Sequence, residues 1–550
     1  MTSRDPAPGT TPATDTTRGG RVLGRLGLGL AGVLATLVGM AAGHLVASLL
    51  IPASSPVLAV GSAVIDATPT PMKEWAIRNF GSNDKVILIG SVMVVVLLVS
   101  SLAGFLARRR LAYGAGFLVL LVAVAATAAL TRPTAGLEDA VPSLVAAIAG
   151  VLALGVLIRA GQGLPVLPRR SPAPKPAVSP EVARGLRAPD EPAPQPAGAS
   201  RRGVLIAGGV LAVLAGAMGG VGRFINSYRS RPEDIALPTP SSPAPPLPTG
   251  LESKIKGITP LRIANADFYR VDTRLDTPVL SAGDWTLTID GDVRNQLELT
   301  FDDLLGMELI ERDITMTCVS NSVGGPYVGA ARWLGVRLTD LLDMAGVGDQ
   351  ADQILSTDFD GMKISTPLDL ATDGRDAMIA IGMNGTALPR EHGFPARMIV
   401  PGLYGFISGT KWVTKLTLTT YAAETAYWTD RKWATDAPIK ISTRIDLPRA
   451  LQMLQPGKQT VGGVAWAQQR GGIEKVQVRI DGGAWEDATM GPDVNSDYWR
   501  QWYYEWDATS GQHSVSARAI SGNGEEQSAV QMLPFPEGSS GIQNILVNVS

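Results

Sequence analysis

Cys318 is the single cysteine in 550 residues, and His44, His392 and His513 are the three histidines. This inventory excludes an internal disulfide framework, a thiolate zinc site and a cysteine-ligated iron–sulfur cluster. No C-x-x-C-H occurs, so no covalent c-type haem is encoded. The long apolar runs hold only His44, which does not supply a bis-His haem pair. A thiolate suits a soft, high-valent metal centre that already carries sulfur ligands. By itself, a lone cysteine more often packs inertly in a core.

The elements around Cys318 favour the chemical reading. Asp313–Cys318 alternates as a strand and ends on the cysteine, and a Gly-rich loop follows. A strand-to-loop junction places a side chain at a cleft while the strand fixes its direction. Further strands are expected at Trp285–Asp290, Leu297–Thr300, Ala396–Val400 and Trp412–Thr419. Thr300 is placed to cap a short helix with acids in its first turn, and Thr339–Met344 reads as another. Asn384-Gly385 reads as a hairpin turn. This is an α+β pattern with mixed sheets and not an alternating βαβ array.

Cys318-Val319-Ser320-Asn321-x-x-Gly324-Gly325 opens a series of ordered motifs. Ala331-Arg332-Trp333-x-Gly335-Val336 and Met383-Asn384-Gly385-x-x-Leu388-Pro389 follow. Then come His392-Gly393-Phe394-Pro395-x-Arg397, Val400-Pro401-Gly402 and Lys411-Trp412. Together they resemble the cofactor-binding core of the sulfite-oxidase superfamily, from about Leu261 to the C-terminus. The resemblance implies a molybdenum–molybdopterin cofactor with Cys318 as protein ligand to the metal and catalytic residue. It implies that Asn265, Phe268 and Tyr269 line the pterin and metal side. His392 and Arg397 would contact the pterin and its phosphate. Gly409, Thr410 and Lys411 would close on the cofactor tail, and Thr357 is a looser match. The residue types suit these roles, since Arg gives bidentate phosphate contacts, Lys a point charge, and glycines let backbone N–H groups approach an anion. By residue type alone, Arg332 and Trp333 equally suit packing and pairing, His392 a satisfied core histidine, and Tyr269 a core aromatic.

One departure bears on the substrate. Sulfite oxidases carry an arginine shortly after the ligand cysteine, whereas Ser322–Pro326 reads Ser-Val-Gly-Gly-Pro. Arg270 and Arg274 are the cations that stand to compensate. The expectation is a small oxo substrate of sulfoxide type rather than sulfite, reduced or oxidised by two-electron oxygen-atom transfer. The alternatives are a sulfite oxidase-type enzyme and a non-catalytic membrane-tethered scaffold. No electron relay is encoded, so an external carrier, a cytochrome, a quinone or another subunit, is required. Residues from Ile439 onward read as short strands, including Val461–Trp466, Val476–Ile480, Tyr503–Asp507 and Ser514–Ala519. They resemble the family's immunoglobulin-like dimerisation domain, which implies a homodimer; Trp485, Trp499, Trp502 and Trp506 are expected in its core or interface.

The N-terminal part is of another kind. Leu26–Ile51, Val86–Leu106, Leu111–Leu130, Val141–Ile158 and Gly203–Val221 are apolar runs long enough for a hydrocarbon core of about 30 Å. No conspicuous cluster of buried ionisable groups stands out in them. Arginines crowd the tail, the Arg108-Arg109-Arg110 turn and the segment before the fifth run. The positive-inside rule then places the N-terminus in the cytoplasm and the C-terminal half outside, in a multi-pass plasma-membrane protein. Ser200-Arg201-Arg202-Gly203 resembles an internal twin-arginine translocation signal. Pro238–Pro248 reads as a polyproline spacer that holds the soluble part off the membrane. Net charge is -2, which gives no general affinity for nucleic acid.

The expected order is a cytoplasmic tail (1–25), four transmembrane helices (26–160), a cytoplasmic Pro/Ala-rich linker (161–202) and a fifth transmembrane helix (203–222). A Pro-rich linker (223–260), the molybdopterin domain (261–438) and the immunoglobulin-like domain (439–550) follow.

Overall fold

A computed structural model describes residues 16–80, 83–162, 201–230 and 233–550. The tail before residue 16, most of the Pro/Ala-rich linker and Ser200 of the twin-arginine motif lie outside the described residues. The chain forms two compact units, Met1–Pro69 with Trp75–Arg229, and Thr70–Glu74 with Ser230–Ser550.

The first unit is helical: α1 (Thr16–Leu49), α2 (Pro56–Ala67), α3 (Thr70–Phe80, shared with the second unit), α4 (Asp84–Arg109), α5 (Leu111–Leu130), α6 (Val141–Gly161) and α7 (Arg201–Arg229). Five helical stretches, Gly27–Leu49, Asp84–Arg109, Leu111–Leu130, Leu137–Gly161 and Arg202–Arg229, are long and apolar enough to cross a membrane. Small residues let their backbones approach. A Cβ on Gly104 would lie 1.7 Å from the Leu28 carbonyl oxygen, and one on Gly39 2.5 Å from that of Ala146. Two features were not visible in the hydropathy. The connection after the first run is folded into α2 and α3. Asp139 is 2 % exposed, pairs with Arg132 at 2.5 Å, and accepts from Gly136 N at 2.8 Å and from Ser54 Oγ. A buried ion pair therefore exists, between Arg132 in the preceding connection and Asp139 at the start of the stretch Leu137–Gly161.

The second unit holds four sheets. One runs β2-β1-β10-β5-β6, from β1 (Thr286–Gly291), β2 (Leu297–Thr300), β5 (Gln353–Asp358), β6 (Lys363–Pro367) and β10 (Val413–Thr419). Another runs β3-β4-β7-β8, from β3 (Leu309–Thr317), β4 (Val328–Arg337), β7 (Met378–Met383) and β8 (Thr386–Ala387); β9 (Arg397–Ile399) also pairs with β7. Leu287, Ile289, Val336, Ile379, Leu416 and their neighbours pack these two sheets around one core. Thr300 caps the helix Phe301–Leu305 as expected, accepting from Asp303 N at 3.2 Å. Asn384 and Gly385, at φ 53° and 83°, make the tight β7–β8 hairpin.

C-terminal to these lie two more sheets. One contains β11 (Ser442–Leu447), β13 (Gly457–Trp466), β16 (Thr489–Met490) and β17 (Arg500–Ala508). The other contains β12 (Met453–Leu454), β14 (Ile473–Ile480), β15 (Glu486–Asp487), β18 (Gly511–Ser521) and β19 (Gln543–Val549). Val461, Val476, Trp502, Val515 and Val547 from both sheets share one core.

The Pro-rich stretch is not a free spacer. Ser241 N donates to Leu309 O and Glu311 N to Ser242 O, both at 2.9 Å, so the stretch lies along the edge strand β3. Arg332 and Arg312 hold the carbonyls of Pro245 and Ser242. Proline lacks an N–H, and an edge position is where it costs no ladder bond.

Candidate functional site

β3 delivers Cys318 to the site. Cys318 N still donates to Tyr327 O at 3.0 Å, so the strand's direction carries through its first residue beyond the ladder. Its carbonyl accepts from Asn321 N at 3.0 Å, closing a tight turn, and Sγ lies 2.9 Å from Ser320 Oγ. Cys318 is half-buried. Burial pushes its thiol pKa up, while hydrogen bonds from Ser320 and the charge of Lys411 pull it down.

Loops of the C-terminal part brace this strand and turn. Asp497 O accepts from Thr315 N at 2.9 Å, Thr315 Oγ1 accepts from Trp499 N at 2.8 Å, and Ser539 Oγ donates to Asn321 O at 2.5 Å. Gly324 has φ 73°, and a Cβ there would sit 2.6 Å from the Gln543 side chain.

Aromatic and basic residues gather beside Cys318. Phe268 stacks on Tyr269 at 5.1 Å and meets Trp333 and His392 edge-on at 5.7 and 5.4 Å. Gly329 makes room for it, since a Cβ there would lie 2.8 Å from the ring. Burial raises the Tyr269 phenol pKa; Cys318 raises it further and Arg397 opposes the rise, so all three share one field. His392 Nε2 lies 2.9 Å from Asn265 O. Burial first, then the charges of Arg397, Lys411 and Arg270, lower its pKa to about 4. At neutral pH the ring is uncharged; a carbonyl only accepts, so Nε2 carries the proton and Nδ1 is left as an acceptor.

Arg397 is 6 % exposed and donates to His392 O at 3.1 Å. Its guanidinium lies over Trp333 at 5.1 Å, and its buried Nε has no hydrogen-bond partner. Burial lowers its pKa to about 10, so it stays a cation. Lys411 Nζ reaches Asp272 at 2.7 Å and Glu391 O at 3.1 Å. Burial lowers its pKa to about 8 against the pull of Asp272. Asp272 also takes Arg270 Nε at 2.8 Å. Arg270 and Lys411 thus share one carboxylate, Asp272, and the charge of Arg397 acts on the same lysine. Gly393 (φ 118°) and Gly409 give the backbone its close approach: added Cβ atoms would lie 3.0 Å from Arg397 Cβ and 3.2 Å from its Nη2.

Most of the residues singled out in the sequence converge here: Cys318, Phe268, Tyr269, His392, Arg397, Gly409 and Lys411. Asn265 joins through His392 and through Asn384, whose Nδ2 donates to Asn265 Oδ1 at 2.7 Å. Thr410 is buried one step away, 2.5 Å from Ser356 Oγ. Thr357 follows Ser356 on β5 and points to the opposite face; its carbonyl accepts from Thr414 at 3.4 Å. Arg332 is structural, held bidentate by Asp313 at 2.9 and 2.7 Å. Sequence reasoning missed Asp272 and Ser320. A lone Asp in a loop carries no pattern, and a Ser beside a Cys gains meaning only from the turn.

The donor set fits a large anionic cofactor. A buried guanidinium with an unpaired Nε, the nearly buried Lys411 ammonium and a Gly-lined cradle suit a phosphate, and the single thiolate suits a metal held mainly by other ligands. Residues 274–428 match the family model described as oxidoreductase molybdopterin binding domain. Human mitochondrial sulfite oxidase is 27% identical over 293 residues, covering 44% of this chain and 52% of that protein. NADH nitrate reductase of Solanum lycopersicum is 31% identical over 180 residues, covering 27% of this chain and 19% of that protein. The solved structure of sulfane dehydrogenase SoxCD from Paracoccus pantotrophus covers 55% of this chain and 85% of its own, with TM-score 0.46 and 23% identity. The chain spans about half the length of the human relative.

Residues 274–428 are therefore a molybdopterin-binding oxidoreductase domain. That domain is of the sulfite-oxidase type, similar to the sulfite oxidases over this region, and its cofactor is molybdenum–molybdopterin.

Proposed function

We propose that this chain is a membrane-anchored oxidoreductase that reduces a small neutral oxo acceptor of sulfoxide type on the extracytoplasmic side. In the overall reaction a sulfoxide takes up two electrons and two protons, its S=O bond breaks, and a thioether and one water molecule leave. The electrons come from an external cytochrome or quinone. The observation that carries the reading is the charge at the substrate side of Cys318. The turn after it offers Ser320, Ser322 and backbone and carries no cation of its own; Arg444, which reaches Gly325 O at 3.3 Å, is held by Asp446 and Thr259. The two arginines expected to compensate are committed elsewhere. Arg270 binds Asp272, Thr277 Oγ1 and Asp276 O. Arg274 binds Asp358 and Asp360, both at 2.9 Å. A sulfite dianion would find no free guanidinium in this set, whereas a neutral S=O needs only hydroxyl and amide donors.

When bound, the molybdenum cofactor supplies the two-electron, oxygen-atom-transfer chemistry. Cys318 would ligate the metal. Arg397, Lys411 and the backbone at Gly409 and Thr410 would hold the phosphate. His392 would accept a pterin N–H through Nδ1, with Asn265 fixing its ring. Phe268 and Tyr269 would line the pterin and metal side and keep water out, and Thr357 is assigned to the cofactor by motif alone. The five apolar helices anchor the chain, with the N-terminus cytoplasmic and Arg201-Arg202 acting in twin-arginine export. The C-terminal sandwich is immunoglobulin-like and serves dimerisation.

The test is a substrate screen on full-length protein purified from cells that make the cofactor. Reduced viologen dye is the donor for sulfoxides, and ferricyanide or cytochrome c the acceptor for sulfite. Sulfoxide-dependent dye oxidation that disappears in Cys318→Ser is expected. Robust sulfite-dependent cytochrome reduction overturns the substrate assignment.

A further inference from the structure

The turn after Cys318 sets a hydroxyl against its sulfur. The chain reverses immediately beyond β3, and this sets the Ser320 hydroxyl 2.9 Å from Sγ. The turn is pinned on every side. Asn321, 6 % exposed, accepts from Tyr327 N through Oδ1 at 2.8 Å and from Ser539 Oγ through its carbonyl at 2.5 Å. Ser322 O accepts from Gly325 N at 2.8 Å. The backbone that carries Ser320 is therefore held by bonds on its next two residues, one of them from Ser539 near the C-terminus.

A free thiol and a hydroxyl can each donate to the other. A metal-bound thiolate has no proton, so there the hydroxyl must be the donor. We infer that Ser320 is a positioning residue for the metal ligand, whose hydroxyl draws electron density from the Cys318 thiolate and raises the reduction potential of the centre. This rests on the reading of Cys318 as the molybdenum ligand. The physical sequence is short. A thiolate donates electron density to its metal, and the oxidised metal benefits most. A hydrogen bond to the sulfur competes for that density, so it favours the reduced state. Ser320 does this because the turn sets its hydroxyl 2.9 Å from Sγ.

The test compares Ser320→Ala, Ser320→Thr and Ser320→Val in full-length protein loaded with cofactor, at matched molybdenum content. Two quantities are read: the cysteine-sulfur-to-molybdenum charge-transfer absorption and the midpoint potential from a dye-mediated titration. Ala and Val should shift the absorption to longer wavelength and the potential to more negative values. Thr, which keeps the hydroxyl, should stay at wild type. Thr and Val have nearly the same shape, so their comparison decides the matter even where Ala fails to load. Identical absorption and potential in Thr and Val overturn the inference. A wild-type charge-transfer band in Cys318→Ser overturns instead the reading on which it rests.

Discussion

His392 makes the site acid-sensitive by a calculable amount. Its side chain is buried, 2 % exposed, among the cations Arg270, Arg397 and Lys411. An unfolded chain takes up this proton near pH 6.5, while the folded site resists it until about pH 4. The neutral ring therefore contributes stability that is fully present above pH 6.5 and is lost as the pH falls through 4. The full span is worth about 3 kcal/mol, of which about 2 kcal/mol is gone by pH 5. The perturbation is His392→Gln, whose amide keeps an N–H for Asn265 O but takes no proton. Urea unfolding of the cofactor-free full-length protein in detergent, followed by tryptophan fluorescence at pH 7, 6 and 5, reads the difference. Wild type should lose about 2 kcal/mol more than the variant between pH 7 and 5. Carboxylates titrate in both proteins and cancel. Parallel profiles would refute the burial argument and the neutral tautomer built on it.

Other consequences follow from the same geometry. Arg397→Met should cut the molybdenum-to-protein ratio at limiting cofactor by about ten- to a hundredfold, the loss of a charged hydrogen bond of about 1.5–3 kcal/mol; an unchanged ratio would remove Arg397 from the phosphate site. Arg332→Met strands Asp313, itself 2 % exposed. It should destabilise the unit by about 3–5 kcal/mol, read as a lowered urea midpoint, with the metal centre of the surviving protein unchanged. Gly329→Ala pushes a Cβ to 2.8 Å from the Phe268 ring. It should cost about 1–3 kcal/mol in urea unfolding and displace the Phe268–Tyr269 stack.

Alternation and turn chemistry made much of the site's frame legible. The strand read to end on Cys318 is β3, ending one residue earlier at Thr317. Leu297–Thr300 and its capped helix stand where Thr300 and its acidic followers place them. The apolar runs became the five long helices because charge-free length needs no tertiary information. What stayed hidden depends on contacts remote in sequence. Lys411 and Asp272 meet across 139 positions, and Ser539 reaches Asn321 across 218. The Pro-rich stretch reads as a spacer by composition, yet its carbonyls meet Arg312, Arg332 and the open edge of β3. Asn384 is a hairpin residue by pattern, and only the fold shows that its side chain also orients Asn265.

The central claim is that Cys318 is the protein ligand of a molybdenum cofactor. X-ray absorption at the molybdenum edge, on full-length protein purified with cofactor biosynthesis intact, counts the sulfur atoms around the metal. The account predicts bound molybdenum with one sulfur fewer in Cys318→Ser than in wild type. Wild-type protein without molybdenum, or the same sulfur count in both proteins, would contradict it.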